Sequence, residues 1–301
     1  MTEAFTRKGL DSPRLMAELL MAHVAGCDRM RLYMDADRPA SPLERDQLRD
    51  LVGRALKHEP VQYLVGEAWF FGLPLHVDRS TLIPRPATES IVEQVLGHAR
   101  AEPGFGGKTG EGVRFADICT GSGCIAIALL KNLPQAMAIA TDISSDALAV
   151  ARRNAERHKV AERTEFLQGD LLEPVVNHAA GAGRELHYIV ANPPYIPDAE
   201  WDAPPTAEHP EGLVGRNVRD FEPHTALRGG PDGLRFVRPI IEHAPARLRP
   251  RGLLIIETAS CTAGEVAQLM RGNDRIDPDS VRIAKDHEGL DRVVTGAASA
   301  H

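Results

Sequence analysis

The sequence predicts an α/β protein, in which a seven-stranded, doubly wound parallel sheet follows a small helical domain. From Val113 onward, short apolar runs alternate with amphipathic segments, which is the pattern of a sheet covered by helices on both faces. Residues 1–66 instead carry helix caps and apolar residues at helical spacing. Glycine or polar residues follow four successive predicted strands, and α/β sheets bind ligands at the carboxyl ends of their strands.

Residues 1–66 are predicted to form the helical N-terminal domain. Ser12-Pro13 is typical of a helix start, and apolar residues then recur at helical spacing until Gly26. Ser41-Pro-Leu-Glu44 has the form of a capping box, and Glu59-Pro60 ends that second helix. No catalytic pattern occurs here, so the domain serves either partner recognition or packing alone.

Residues 67–112 connect this domain to the sheet. Aromatic and β-branched residues interrupted by Gly72 and Pro74 predict a hairpin. A helix is expected over about 87–100. The segment 102–112 holds five glycines and is typical of a linker or flexible loop.

Residues 113–301 form the predicted sheet domain, with strands assigned from β-branched apolar runs and helices from apolar residues at helical spacing. Strands are expected at 113–118, 137–141, 164–167, 188–191, 253–257, 281–284 and 292–295. Helices are expected at 124–133, 146–158, 233–248 and 262–271.

A glycine loop, Asp117-Ile-Cys-Thr-Gly-Ser-Gly123, closes the first of these strands and opens a helix. Its glycines let a ligand approach the backbone, and the helix N-terminus offers free N–H groups. Asp142 lies 21 positions after Gly121, at the tip of the next strand, where a carboxylate can accept from both ribose hydroxyls of a nucleoside. This pattern alone fits a nicotinamide cofactor or S-adenosylmethionine.

Three features favour S-adenosylmethionine. Asp117 precedes the first glycine by four positions and can meet the positive end of a methionine moiety, directly or through water. Asp170 and Leu171 end the third strand, where a carboxylate can accept from the adenine amine and an apolar side chain can cover the ring. Asn192, after the fourth strand, has no evident use in hydride transfer. Asp117 and Asp170 also suit helix or turn caps, which is the alternative interpretation.

The tetrapeptide Asn192-Pro193-Pro194-Tyr195 follows the fourth strand. Two prolines stop the strand and produce a stiff turn. The Asn192 Oδ1 and the Pro193 carbonyl can each accept one N–H of a planar –NH2 group, while Tyr195 packs on its face. Such a grip aims the nitrogen lone pair and stabilises the charge that develops during attack, which indicates a methyl acceptor site. The alternative is an ordinary turn.

Composition narrows the choice of partners. A net charge of −7 and a pI near 6.0 argue against a partner bound mainly through phosphates. Four cysteines without Cys-x-x-Cys spacing, and twelve histidines without His-Glu-x-x-His spacing, indicate no metal site. No apolar run reaches the length of a membrane span and no signal peptide is evident, so we expect a cytoplasmic protein.

Several blocks along nearly the whole chain resemble the protein-(glutamine-N5) methyltransferases of the HemK/PrmC family. Asn-Pro-Pro-Tyr also occurs in adenine and other amine methyltransferases, whereas Ile-Pro-Arg-Pro and Gly-Gly-x-Asp-Gly-Leu are more specific. The matching blocks are Glu59-Pro-Val-Gln-Tyr-Leu-Val-Gly66, Leu82-Ile-Pro-Arg-Pro86 with Thr88-Glu89, residues 117–128, residues 192–196, Phe221-Glu-Pro223, Gly229-Gly-x-Asp-Gly-Leu234 and Asp291-Arg-Val-Val-x-Gly296.

The resemblance implies a Rossmann-like S-adenosylmethionine-dependent methyltransferase that modifies the glutamine of the Gly-Gly-Gln loop in peptide chain release factors and leaves S-adenosylhomocysteine. It also implies that the N-terminal domain docks the release factor. We expect a monomer without direct nucleic acid or membrane contact. The catalytic residues would be Asn192, Pro193 and Tyr195, and the substrate amide would lie against these and Pro194. The cofactor residues would be Asp117, Thr120, Gly121, Ser122, Gly123, Asp142, Asp170, Leu171 and Asn192.

Some positions depart from the family pattern. Cys119 replaces the first glycine of the loop, Ala87 replaces an acidic residue, and Ala259, Cys261 and Thr262 replace the usual residues after the fifth strand. Segment 197–220 is long and rich in proline and acidic residues. Three alternatives therefore stay open: methylation of a glutamine in ribosomal protein L3, adenine N6 methylation of RNA or DNA, and a non-catalytic protein-binding scaffold. Glu89 suits either a polar neighbour of the site or the start of its helix.

Overall fold

The N-terminal helices pack around a small apolar core in the structure, a computed structural model that describes residues 1–179, 186–206 and 212–300. Phe5, Leu20 and Leu64 lie in this core. Ser41 and Glu44 form the predicted capping box, while Ser12 makes no side-chain cap bond and Pro13 alone marks its helix start. The helices are α1 (Thr2–Arg7), α2 (Pro13–Ala25), α3 (Arg29–Met34), α4 (Pro42–Ala55) and α5 (Val61–Val65).

The predicted hairpin follows as β1 (Glu67–Phe70) and β2 (Leu73–His76), and α6 spans Glu89–Ala101. Glu89 Oε1 accepts a hydrogen bond from the backbone N–H of Phe71 at 2.7 Å, so this carboxylate holds the hairpin turn. In the glycine-rich segment 102–112, Phe105 is buried in the main core, and the Arg249 guanidinium lies 5.1 Å from its ring centroid. That segment is therefore packed against the sheet domain.

Seven strands form the large sheet, in the order β5-β4-β3-β6-β7-β9-β8. All seven predicted strands are present, but β9 runs antiparallel to both neighbours, so the sheet is mixed rather than fully parallel. The reason is local, because β8 and β9 are joined by a short turn that cannot make a parallel crossover. The strands are β3 (Arg114–Ile118), β4 (Met137–Asp142), β5 (Thr164–Gln168), β6 (Leu186–Ala191), β7 (Leu248–Glu257), β8 (Arg282–Lys285) and β9 (Asp291–Ala297).

Helices cover both faces of the sheet. One core joins α6, α7 and α8 to one face, and a second joins α9, α12 and α13 to the other. Alternate strand residues divide between them, as Phe115 and Ala116 do. The predicted helix 233–248 is shorter, because a turn at Gly233 delays its start and Pro245 lies in a following 3-10 turn. These helices are α7 (Cys124–Asn132), α8 (Ser145–Arg157), α9 (Glu173–Ala179), α12 (Val237–His243) and α13 (Ala263–Arg271).

Two short helices, α10 (Asp198–Trp201) and α11 (Arg216–Arg219), lie in the long segment after β6. Residues 207–211 of the 197–220 segment lie outside the described residues. Within the described ranges, no helix combines the length and apolar character needed to cross a bilayer.

Candidate active site

A cavity of about 680 Å³ lies at the carboxyl edge of β3, β4, β5 and β6. A ligand is expected at this place, because α/β sheets bind ligands at the carboxyl ends of their strands. Eight of the twelve predicted site residues line it: Thr120, Gly121, Ser122, Asp142, Asp170, Leu171, Asn192 and Pro194. The other four lie behind or beside it: Asp117, Gly123, Pro193 and Tyr195.

The two glycines of the loop have different surroundings. Both have positive φ, 55° at Gly121 and 80° at Gly123. A Cβ on Gly121 would meet no atom within 4 Å, so this backbone faces open space in the cavity. A Cβ on Gly123 would lie 3.2 Å from the Cβ of Ala151 in α8, so Gly123 permits the loop to pack against that helix.

Asp142 organises the loop from the tip of β4. Its Oδ2 accepts from the N–H of Gly121 at 2.9 Å, and its Oδ1 accepts from the N–H of Ser144 at 3.0 Å. Burial raises the pKa of Asp142, and these backbone donors act against that shift. Each oxygen retains a lone pair, so the carboxylate can still accept from two ribose hydroxyls.

Asp117 is fully buried and is not among the residues that line the cavity, so its predicted contact with a methionine moiety, directly or through water, stays a prediction. Its Oδ2 accepts from the Thr120 hydroxyl at 2.7 Å and from the Ala126 N–H at 3.1 Å, at the start of α7. Burial raises the pKa of Asp117 to about 7. This carboxyl therefore holds Thr120 and the start of α7 in place through one oxygen, while its Oδ1 has no hydrogen-bond partner among the described residues.

The third strand end supplies an exposed carboxylate and a constrained leucine. Asp170 lines the cavity and is exposed. Leu171 has φ 46°, which is unusual for a leucine, and its carbonyl accepts from the Thr141 hydroxyl at 3.1 Å. Both residues line the cavity, and their contacts with an adenine amine and ring stay a prediction.

The predicted acceptor site is held through its side chains. Asn192 Nδ2 donates to the Thr88 hydroxyl at 3.1 Å, and the Tyr195 hydroxyl donates to Glu257 Oε1 at 3.0 Å. Tyr195 lines a second cavity of about 220 Å³ that also includes Asn192 and Arg85. Its ring therefore lies beside the main cavity, because the hydroxyl is tied to a buried carboxylate on β7.

The Gly-Gly-x-Asp-Gly-Leu block supports this turn from behind. Ile196 N–H donates to the Leu227 carbonyl at 2.9 Å, and Gly229 N–H donates to the Ile196 carbonyl at 2.8 Å. A Cβ on Gly229 would lie 2.7 Å from Tyr195 Cα, and one on Gly233 would lie 2.5 Å from the Tyr195 carbonyl oxygen. Both positions require glycine because the turn passes directly over them.

Two other sequence blocks that resemble the family, Leu82-Ile-Pro-Arg-Pro86 and Phe221-Glu-Pro223, contact each other. The buried Glu222 of Phe-Glu-Pro accepts from the Ile83 N–H at 3.0 Å and from the Arg85 guanidinium at 2.5 Å. Arg85 then lines both cavities. The sequence alone indicated neither this ion pair nor its place, although both blocks were visible as parts of the resemblance.

Asn154 was not predicted as part of the site, yet it connects the hairpin to the glycine loop. This buried residue of α8 accepts from the His76 N–H at 2.7 Å, and its Nδ2 donates to the carbonyls of His76 and Ser122, both at 2.9 Å. A single asparagine inside an amphipathic helix carries no local signal of such a role.

The residues present fit a nucleoside cofactor. The cavity is lined in turn by the open backbone of Gly121, by the Asp142 carboxylate, which suits a ribose, and by the exposed Asp170 carboxylate at the end of β5. Ser122 Oγ, also in the lining, is buried without a partner among the described residues, so it can hydrogen bond to a ligand. No cluster of three or more metal-ligating side chains occurs in the described part of the chain.

Comparison with solved structures identifies the fold. The hMettl16 catalytic domain in complex with the MAT2A 3′UTR hairpin 1 shares the fold, with a TM-score of 0.55 and 20 % identity over 77 % of this chain and 76 % of that one. A methyltransferase from Pyrococcus furiosus gives a TM-score of 0.52 and 16 % identity, over 83 % of this chain and 98 % of that one. The chain therefore shares the Rossmann-like fold of these two methyltransferases.

Sequence comparison defines the family. Residues 1–66 match the PrmC N-terminal domain model, and residues 108–204 match the methyltransferase small domain model. The release factor glutamine methyltransferase of Chlorobaculum tepidum is 40 % identical over 96 % of this chain and 91 % of that protein. Its counterpart in Geobacter sulfurreducens is 39 % identical over the same shares. The chain belongs to the release factor glutamine methyltransferase family.

Proposed function

We propose that this enzyme transfers a methyl group from S-adenosylmethionine to the side-chain amide nitrogen of the glutamine in the Gly-Gly-Gln loop of peptide chain release factors. The observation that carries the proposal is the position of Asn192. Its side chain lies at the end of β6, where it lines both the cofactor-sized cavity and the smaller cavity beside it. Membership in this family indicates that the amide that enters the smaller cavity is the glutamine side chain of a release factor.

Residues on one side of the cavity would hold the cofactor. The Gly121 backbone lets it approach, Asp142 accepts from its ribose, and Asp170 with Leu171 binds the adenine. When bound, S-adenosylmethionine would supply a methyl carbon on a sulfonium: the amide nitrogen would bond to that carbon as the C–S bond breaks, S-adenosylhomocysteine would leave, and the nitrogen would lose one proton to solvent. Asp117 contributes indirectly, by holding Thr120 and the start of α7.

Residues on the other side would hold the glutamine. The Asn192 Oδ1 and the Pro193 carbonyl each accept one amide N–H, which aims the nitrogen lone pair and stabilises the positive charge that grows on it. Pro194 lines the cavity next to them, and Tyr195 fixes the turn through Glu257. Catalysis then depends on alignment and on acceptor oxygens, without a charged nucleophile.

The N-terminal domain, residues 1–66, would dock the body of the release factor. Several of its apolar side chains are exposed, with Met30 at 72 % and Met34 at 71 % on the short helix α3. We further propose that the enzyme acts as a monomer. Because release factors act on ribosomes, we place the reaction in the cytoplasm, and the acidic net charge of −7 supports a protein rather than a nucleic acid substrate.

Methyl transfer from labelled S-adenosylmethionine tests the proposal. Purified enzyme is incubated separately with a release factor, with the same factor carrying alanine in place of the Gly-Gly-Gln glutamine, with ribosomal protein L3, and with RNA and DNA. We expect label only in the intact release factor, and peptide mass spectrometry should place it on that glutamine.

Each other outcome selects a different function. Label in ribosomal protein L3 would identify the alternative glutamine substrate, whose methyltransferase shares the Cys119-Thr-Gly-Ser-Gly-Cys124 form of the loop. Label in nucleic acid would identify an adenine methyltransferase. No label in any arm, with cofactor binding intact, would indicate a protein-binding scaffold.

A further inference from the structure

A buried carboxylate lies directly behind the Asn-Pro-Pro-Tyr turn. Glu257 ends β7, the strand beside β6, and its side chain is fully buried. Its Oε1 accepts from the Tyr195 hydroxyl, whereas Oε2 has no partner of ordinary hydrogen-bond geometry among the described residues. Burial raises the pKa of Glu257, and the nearby Thr88 hydroxyl opposes that rise.

Thr88 stands between Glu257 and Asn192. It occupies the N-cap position of α6, where a threonine commonly caps its own helix, yet its side chain makes no such bond. The hydroxyl instead accepts from Asn192 Nδ2 at 3.1 Å, and the residue is only 1 % exposed. Its placement serves the turn rather than the helix.

A threonine hydroxyl has one hydrogen to donate. When that hydrogen points at the Glu257 carboxylate, the oxygen can only accept from the asparagine, so Nδ2 must face Thr88. Asn192 Oδ1 is then directed away from Thr88. The reversed amide would place two acceptors against each other in a buried site, which is unfavourable.

We propose that Thr88 and Glu257 are positioning residues that set the side-chain amide of Asn192 with its oxygen toward the substrate. The inference rests on the proposed function, because only an acceptor oxygen can bind the –NH2 of a glutamine. With the Asn192 amide reversed, its two N–H groups would face the two N–H groups of the substrate glutamine. The same carboxylate holds Tyr195, so one buried group orients both ends of the turn.

Two substitutions at Thr88 separate positioning from packing. Thr88→Val keeps the shape and removes the hydroxyl, while Thr88→Ser keeps the hydroxyl. We expect kcat for release factor methylation to fall about 10- to 100-fold in Thr88→Val and less than about fivefold in Thr88→Ser, with cofactor Kd unchanged in both. Thr295→Val, the same change at a buried threonine of β9, is the matched control and should keep full activity.

Full turnover in Thr88→Val, or an equal loss in the valine and serine variants, would overturn the inference. A second readout does not depend on which substrate is methylated. The Asn192 side-chain amide signals, identified by their absence in Asn192→Ala, should be protected from hydrogen exchange in the wild type and lose protection in Thr88→Val. Unchanged protection would also refute the inference, whereas a wild type without transferase activity would refute only the proposed function.

The pH profile gives a third test, through Glu257→Gln. The groups that face Glu257 are Thr88, Tyr195, Arg85, Arg292 and Cys124. A protonated carboxyl would donate to Thr88 and thereby favour the reversed amide, so activity should decline as pH falls through the raised pKa of Glu257. We expect this acid limb to disappear in Glu257→Gln, at a lower plateau. An unchanged limb would remove Glu257 from the positioning role.

Discussion

The two halves of the cavity are held together in different ways. In the cofactor half, Asp117 bonds Thr120 and Ala126, three and nine positions away, and Asp142 bonds Gly121, 21 positions away. In the acceptor half, Asn192 and Thr88 lie 104 positions apart, and Tyr195 and Glu257 lie 62 apart. The first half is a local motif, and the second is assembled by the tertiary fold.

The difference shows how the same sheet edge serves two tasks. A nucleoside can be held by backbone amides and one carboxylate, which successive strand ends deliver without further help. A weak nucleophile needs its acceptor oxygens at defined angles, and a loop alone cannot keep them there. The acceptor half therefore uses buried side chains from the turn before α6 and from β7.

The largest effect that separates the halves is expected from Asn192→Ala. Removing the amide should reduce methyl transfer by about 1,000-fold, because the growing charge on the substrate nitrogen loses its acceptor. Cofactor binding should partly survive, since Gly121, Asp142 and Asp170 are untouched. Single-turnover kinetics and calorimetric titration with the cofactor measure the two quantities, and a variant that keeps its turnover would contradict the acceptor role.

Gly233→Ala is expected to have the next largest effect, about 100-fold on turnover. Its φ is 79°, and the new Cβ would lie 2.5 Å from the Tyr195 carbonyl oxygen, so the turn must move. Gly289→Ala is the matched control, since its φ is 81° and its Cβ would meet nothing within 4 Å. Turnover and melting temperature are measured for both, and equal losses would mean that backbone strain alone explains the result.

Gly121→Ala tests the cofactor half of the cavity separately from the acceptor half. Its Cβ would enter the open cavity, so cofactor Kd should rise while the acceptor turn stays in place. A selective loss of turnover without weaker cofactor binding would show that the two halves are not separable in this way.

The smallest effect on activity is expected from Asp117→Asn. This substitution should instead change how the free energy of unfolding depends on pH. Burial raises the pKa of Asp117 to about 7 in the folded protein, against about 4 when unfolded. Between these values the folded state binds the extra proton, so this group's contribution to the free energy of unfolding falls as pH rises from about 4 to 7 and is constant above. Asparagine removes that dependence.

Urea denaturation from pH 5 to pH 8 checks this expectation. Relative to wild type, Asp117→Asn should gain about 1 to 3 kcal/mol between the two ends of that range. Burial also raises the pKa of Asp142, and because the Asp142 charge helps to raise the pKa of Asp117, the difference between the two proteins includes this coupling. Parallel pH profiles for the two proteins would show that Asp117 is ionised throughout.

The sequence by itself determined the seven strands, the glycine loop, Asp142 and the Asn-Pro-Pro-Tyr turn, because each is expressed in local periodicity or in a contiguous motif. Only the tertiary structure decided that β9 is antiparallel, that Asp117 lies behind the cavity and that Tyr195 turns toward Glu257. A hydrogen bond between residues 104 positions apart leaves no pattern in the chain around either of them. For that reason Thr88 and Glu257 could be found only once α6 and β7 had brought them to Asn192 and Tyr195.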